Sequence, residues 1–236
     1  MLRDQHVVIL GGSSGIGFAV ARAALAEGAK VTIGSRRADK IAAACEALGS
    51  TARGIPVDLT DEASIAGFFA AVEPFDHLVH TAGEWVRRRN VVGPDFDLAD
   101  AQAGYAVRFW SILLAIKHGL PKLASGGSIT LTSGTLAHRP SKGSALASAM
   151  MGGVEHLARG LAIDLAPARV NVVTPGLIAT EVWAKHPADA LQAMVARQPL
   201  PRSGAPAEAA EAYLYFMRAR YTTGQVAIVD GGMVLA

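Results

Sequence analysis

Short apolar runs alternate with longer runs of mixed polarity along the whole chain. The strand-like runs fall at residues 7–10, 31–33, 54–57, 77–80, 128–132, 170–173 and 225–229. Between them, residues 15–27, 37–48, 61–72, 98–123, 144–165 and 206–220 carry helical spacing. This alternation predicts successive βαβ units and hence a parallel sheet. Right-handed crossovers place helices on both faces. The expected fold is a single-domain α/β structure over residues 1–236: a Rossmann-like, doubly wound parallel sheet of about seven strands. Ligands of such sheets bind outside the carboxyl ends of the strands, near the point where strand order reverses. Segment 177–204 contains prolines and no clear period. It reads either as a lid over that crevice or as an ordinary surface excursion.

The first strand leads into the richest local signal. Residues 6–17 read His-Val-Val-Ile-Leu-Gly-Gly-Ser-Ser-Gly-Ile-Gly, and a helical run follows at once. Strand, glycine turn and helix are the sequence that a dinucleotide pyrophosphate requires. Glycine permits positive φ and lets phosphate oxygens reach main-chain N–H groups, and the helix start adds partial positive charge. Gly11, Gly15 and Gly17 are spaced G-x-x-x-G-x-G. The second strand ends Ser35-Arg36-Arg37, with no Asp or Glu between Lys30 and Ala38. An acid there would accept hydrogen bonds from the adenosine ribose of NAD(H), whereas arginine suits a 2′-phosphate. Arg36, with Ser35 and Arg37, therefore selects NADP(H) over NAD(H).

Composition narrows the rest. The 236 residues fit one α/β core, and 51% of them are apolar. No apolar run reaches the roughly 18 residues of a membrane span. The chain enters its first strand almost immediately, so no signal peptide is expected. Cys45 is the single cysteine; it reads as a small packing residue, and the lack of a disulfide partner suits a reducing, cytoplasmic setting. The net charge of +2 is scattered, which argues against a nucleic-acid surface. The run Arg87-Arg88-Arg89 reads as a solvated loop.

Several segments together resemble the short-chain dehydrogenase/reductase family. Residues 11–17 look like its TGxxxGIG, with Gly11 in place of Thr. His80-Thr81-Ala82-Gly83 looks like NNAG. Residues 169–176, RVNVVTPG, look like RVNxVxPG, and Thr223-Gly224-Gln225 and Val229-Asp230-Gly231-Gly232 resemble the family's closing TGQ and VDGG. The resemblance implies that Gly11, Ser13, Ser14, Gly15, Ile16, Gly17, Asp58, Leu59, Thr81, Ala82, Gly83, Pro175, Gly176, Ile178 and Thr180 contact the cofactor. Within that set, Asp58 would meet the adenine ring and Thr180 the nicotinamide amide. Ser133 matches the serine after the fifth strand. A homodimer or homotetramer is implied as well, with the small residues Ala145, Ala149 and Gly152 permitting a close helix–helix contact.

The chain departs from the family where proton transfer is expected. The family uses a tyrosine as general acid/base and a lysine four residues later, one turn along the same helix face. Aligned on Gly153-Val154-Glu155, those positions are Ala147 and Met151. Tyr105, Tyr213, Tyr215 and Tyr221 are followed four places on by Phe109, Met217, Ala219 and Gln225, so no Y-x-x-x-K exists. The family's relay asparagine is Arg108. Ser133 alone keeps its residue type, and a serine hydroxyl polarises a carbonyl without supplying a proton at neutral pH. Arg108 reads either as a cation for an anionic substrate or a carbonyl, or as the partner of an acid such as Glu84. His138 and Lys142 are spaced i, i+4, but Pro140 between them argues against a shared helical face. Two functions stay open. One is an oxidoreductase acting on a small carbonyl, alcohol or activated alkene with non-standard proton delivery. The other is a non-catalytic NADP(H)-binding sensor or partner subunit. A non-redox isomerase or lyase has no residue in its favour. Segments 84–97 and 177–204 would line the substrate pocket.

Overall fold

The computed structural model describes residues 1–83, 91, 93–94, 96–183 and 187–236, with the side chains of Val182 and Ala188 outside the description. The seven runs form seven strands: β1 (His6–Leu10), β2 (Lys30–Ser35), β3 (Ala52–Pro56), β4 (Phe75–His80), β5 (Leu123–Thr132), β6 (Arg169–Pro175) and β7 (Val226–Val229). They build one sheet in the order β3-β2-β1-β4-β5-β6-β7, and every pairing is parallel. The order reverses between β1 and β4, so the loops that follow these two strands open the crevice at the carboxyl edge. Around the sheet lie α1 (Gly15–Ala26), α2 (Ala38–Leu48), α3 (Glu62–Ala71), α4 (Leu98–Tyr105), α5 (Ser111–Gly119), α6 (Ala145–Asp164), α7 (Ala188–Val195) and α8 (Pro206–Arg218).

The period of two along β1 assigns its side chains to two cores. Val8 and Leu10 join Phe68, Phe69, Ile112 and Val154 on one face. Val7 and Ile9 join Val20, Ala24, Tyr213 and Phe216 on the other. A strand buried on both faces has no polar side, which is why this run reads as unbroken apolar sequence.

Three expectations need correction. The run 98–123 is not one helix: a π-helical turn, Ala106–Trp110, separates α4 from α5, and a 3₁₀ turn, Leu120–Lys122, follows. β5 starts at Leu123, ahead of the expected 128, with a register irregularity between Phe75 and His77 of β4. Segment 177–204 has a small core of its own, Leu177, Trp183 and Val195, with Leu191 and Met233 against it. Its ends are tied by a parallel bridge between Ile178 and Gly204. Among the described residues, no helix is long and apolar enough to cross a membrane.

Candidate cofactor and active site

The four glycines of the first turn do different work. A Cβ on Gly17 would sit 2.3 Å from the Gly11 carbonyl oxygen, one on Gly11 2.6 Å from the Ala82 nitrogen, and one on Gly12 2.5 Å from Ile33 Cγ2. These three glycines let the turn press against the ends of β2 and β4. Thr81 seals the contact, its Oγ1 donating to the Leu10 carbonyl at 3.0 Å. Gly15 is the one that fronts the crevice. Its φ is +54°, and a Cβ there would lie 3.2 Å from Thr180 Cγ2. Ser14 caps α1 without a side-chain hydrogen bond, and the first turn carries no acid. By contrast, Asp61 and Asp97 cap α3 and α4 through their carboxylates. The start of α1 thus presents backbone N–H groups that no side-chain cap claims, the arrangement an anion needs.

At the adenosine end, Ser13 Oγ donates to Ser35 Oγ at 2.9 Å, joining the glycine turn to the end of β2. The Asp58 carboxylate accepts from the Thr60 amide at 2.9 Å and the Thr60 hydroxyl at 2.7 Å. These bonds hold its pKa below the ordinary value, and the nearby Arg36 guanidinium adds to the effect. Arg36 and Asp58 therefore face a common space, a cation for phosphate beside an acceptor for an amino group. Arg37 behaves differently. It is paired in a fork with Asp39, two residues on, so its charge is largely answered within α2. Leu59 and Ile178 are buried, so only their backbone is available to a ligand. Gly176 serves packing, since a Cβ there would meet Asp230 Cα at 2.7 Å. The described residues at the crevice thus fit a phosphorylated adenine dinucleotide.

The nicotinamide end corrects the reading of Ser133 as the carbonyl polariser. Ser133 is buried and its Oγ donates to the Met151 carbonyl of α6 at 3.0 Å. That proton is committed to the helix backbone. Met151 fills the adjoining space: a Cβ on Gly134 would lie 2.8 Å from its Sδ. Ala147 is buried on the same helix face. None of the four tyrosines is prepared as an acid. Tyr213 is fully buried with its pKa pushed up by burial. Tyr105 is also raised, and its hydroxyl donates to the Leu146 carbonyl at 3.2 Å. Tyr215 and Tyr221 are exposed.

Arg108 is the cation of this region. It sits at the centre of the π-helical turn, a feature that recurs at functional sites. Its guanidinium lies over Gly83: a Cβ on that glycine would be 2.7 Å from Arg108 Cζ. Below it, His80 Nε2 is 2.8 Å from Ser111 Oγ, and that hydroxyl donates to the Val107 carbonyl at 2.6 Å. Because the serine proton is used there, His80 must donate from Nε2. Burial, with a smaller contribution from Arg108, holds its pKa at about 4, so it is neutral. Glu84, considered as a partner for Arg108, and the Arg87-Arg88-Arg89 run lie outside the described residues.

Sequence reading missed one buried cluster. The Glu155 carboxylate on α6 accepts from Thr174 Oγ1 at 2.7 Å and from His138 Nε2 at 2.9 Å. His138 is thereby turned toward α6 instead of sharing a face with Lys142, which is exposed. Only the opposite charge types hint at this contact in the sequence, because a loop and a helix bring them together. Lys40 of α2 and Glu181, next to Thr180, form a second unforeseen pair at 2.6 Å.

Comparison with known proteins agrees with this geometry. A family model described as enoyl-(acyl carrier protein) reductase matches residues 11–234. The short-chain dehydrogenase/reductase malC of Malbranchea aurantiaca is 34% identical, over 100% of this chain and 96% of its own. Its solved structure, described as a reductase/Diels-Alderase, superposes with a TM-score of 0.91 at 33% identity, over 100% of this chain and 98% of that one. A small-chain dehydrogenase solved in complex with NADPH gives a TM-score of 0.83 at 33% identity, covering 99% of this chain and all of that one. A short-chain oxidoreductase of Pseudomonas aeruginosa, described as containing an atypical catalytic center, gives 0.87 at 28% identity, over 97% and 96% of the two chains. With a family model matched over nearly its whole length and full-length relatives above 30% identity, the chain belongs to the short-chain dehydrogenase/reductase family.

Proposed function

We propose that this crevice takes NADP(H) and that the chain moves hydride between it and a small carbonyl, alcohol or activated alkene. Proton delivery would be independent of a tyrosine–lysine pair. The observation that carries the reading is Arg36 facing Asp58 across from the uncapped start of α1. The relative solved with NADPH supports it. The cofactor, when bound, supplies the hydride chemistry; the chain supplies orientation and electrostatics. Gly15 and the first turn of α1 would hold the pyrophosphate, Arg36 the 2′-phosphate and Thr180 the carboxamide. Arg108 would stabilise negative charge developing on a substrate oxygen near Gly83. A guanidinium stays protonated, so the proton itself would come from water or from the substrate. The exposed Ala145 and Ala149 on α6 support pairing with a second copy as a homodimer or homotetramer.

A second reading has its own observation. Ser133 is committed to Met151, and no tyrosine has a lowered pKa. That favours a non-catalytic NADP(H)-binding sensor or partner subunit. One experiment separates the two. NADPH and NADH are titrated by fluorescence, and oxidation of NADPH is then followed with a panel of ketones, aldehydes and enones. The enzyme reading expects turnover that falls about 10²–10³-fold in Arg108→Ala while NADPH affinity stays within twofold. Tight NADPH binding with no turnover on any panel member selects the sensor, and failure to bind either cofactor removes both readings.

A further inference from the structure

The pair Lys40–Glu181 joins the two walls of the cofactor crevice. Lys40 lies in the first turn of α2, three residues after Arg37, which caps that helix without a side-chain hydrogen bond. Glu181 follows Thr180, whose side chain stands against Gly15 at the floor of the crevice. The residues are 141 apart in sequence, yet Nζ and Oε2 are 2.6 Å apart. Glu181 also contributes to the field that raises the Arg37 guanidinium, after the larger effect of Asp39. It therefore faces the same helix start that would receive the 2′-phosphate.

We propose that Lys40 is a specificity-determining cation for the 2′-phosphate of NADP(H), held in reserve on Glu181 until that phosphate arrives. This rests on the reading that NADP(H) occupies the crevice. Among the cations around the end of β2, Arg37 is already engaged by a fork from its own helix, whereas Lys40 is engaged by a single carboxylate from a separate segment. Both ends of the Lys40–Glu181 pair are exposed, at 37% and 68%, and exposed ion pairs are weak and readily exchanged. A phosphate monoester carries about −1.5 to −2 charges at neutral pH and outcompetes one carboxylate for a flexible ammonium. The exchange would release Glu181, and with it the Thr180 segment, only for the phosphorylated cofactor. NAD(H) has no group to take Lys40 and leaves the pair intact.

The test is equilibrium titration of the full-length protein with NADPH, NADH, 2′,5′-ADP and 5′-AMP, using intrinsic fluorescence or calorimetry. Melting curves confirm that each variant is folded. Lys40→Met should weaken NADPH and 2′,5′-ADP about tenfold, the scale of one charge-assisted contact, and leave NADH and 5′-AMP within twofold. Glu181→Gln should tighten NADPH about threefold, the scale of one exposed ion pair, without moving NADH. The double variant should match Lys40→Met, because Glu181 acts through Lys40. An unchanged NADPH to NADH ratio in Lys40→Met overturns the proposal, as does a Glu181→Gln effect shared equally by both cofactors. Arg36→Ala is the control for the underlying reading. If it lowers NADPH selectively while Lys40→Met does not, the role of Lys40 alone fails. If the wild type prefers NADH and Arg36→Ala changes nothing, the NADP(H) reading falls and takes this one with it.

Discussion

Two glycines two places apart illustrate how much a single residue decides here. Gly17 is closed off by backbone: its Cβ would overlap the Gly11 carbonyl at 2.3 Å, and a carbonyl inside a packed turn has nowhere to go. Gly17→Ala should lower unfolding free energy by about 1–3 kcal/mol or more. Gly15→Ala meets only the methyl of Thr180 at 3.2 Å, so its cost in stability is limited to about 1–2 kcal/mol from the left-handed φ. Its larger effect should be on NADPH affinity. Urea midpoints and NADPH titrations of the two variants check this; the reverse ranking would mean that Gly17 fronts the ligand. His77 and His80 set the acid side of the stability curve. Burial holds both at about 4, against an ordinary 6.5. Their folded pKa lies below the unfolded one, so the unfolded chain binds more protons between these values. Their contribution is complete above pH 6.5 and is lost as pH falls toward 4, at up to about 1.4 kcal/mol per pH unit for each. The wild-type urea midpoint should fall across that window, and His77→Gln should flatten the fall. A midpoint independent of pH there would contradict neutral burial of these rings.

Among the elements, the segment after β6 is the one held by the fewest contacts. Its core is Leu177, Trp183 and Val195, separate from the two cores that sandwich the sheet. Trp183→Ala should therefore loosen residues 177–204 without unfolding the sheet. Hydrogen exchange checks it: protection around α7 should drop by an order of magnitude or more, that is by at least about 1.4 kcal/mol of local opening energy, while β1 and β4 keep theirs. Equal loss in β1 would make this segment part of the global core. What was legible in the sequence follows from the same physics. Strands buried on both faces announce themselves as apolar runs, so β1, β4 and β6 were read close to their true bounds. The start of β5, Leu123-Ala-Ser-Gly-Gly, has little β preference, and it is a strand only because β4 lies beside it. The π-helical turn inserts one residue into an otherwise helical period, and a period count over 98–123 passes straight through it. Ser133 was placed at the right strand end by its motif, but the motif is silent on the Met151 carbonyl that takes its proton. His138–Glu155 and Lys40–Glu181 are contacts between separate elements, and no local spacing encodes them.

Taken as a whole, the molecule gathers its candidate ligand groups from the loops that follow six of its seven strands, β7 excepted. Gly15 comes from the turn after β1, Arg36 from β2, Asp58 from β3, Gly83 from β4, the Ser133–Gly134 corner from β5 and Thr180 from β6. These groups are far apart in the chain and adjacent only once the parallel order β3-β2-β1-β4-β5-β6 is assembled. A dinucleotide that touches all of them binds the folded protein and not the unfolded one, so its binding energy adds directly to global stability. At a free concentration of 100 times Kd, the gain is about 2.7 kcal/mol. For a domain of this size that corresponds to a rise in Tm of about 5–11 °C, at roughly 2–4 °C per kcal/mol. At equal concentration NADPH should raise Tm more than NADH, because only NADPH carries the phosphate that Arg36 faces. Arg36→Ala should bring the two shifts together while leaving the cofactor-free Tm nearly unchanged, since Arg36 contributes to no core cluster. Differential scanning fluorimetry over a cofactor series measures all three quantities. Equal shifts for NADPH and NADH in the wild type would show that the end of β2 does not read the 2′-phosphate, and the choice of NADP(H) over NAD(H) would then have to be withdrawn.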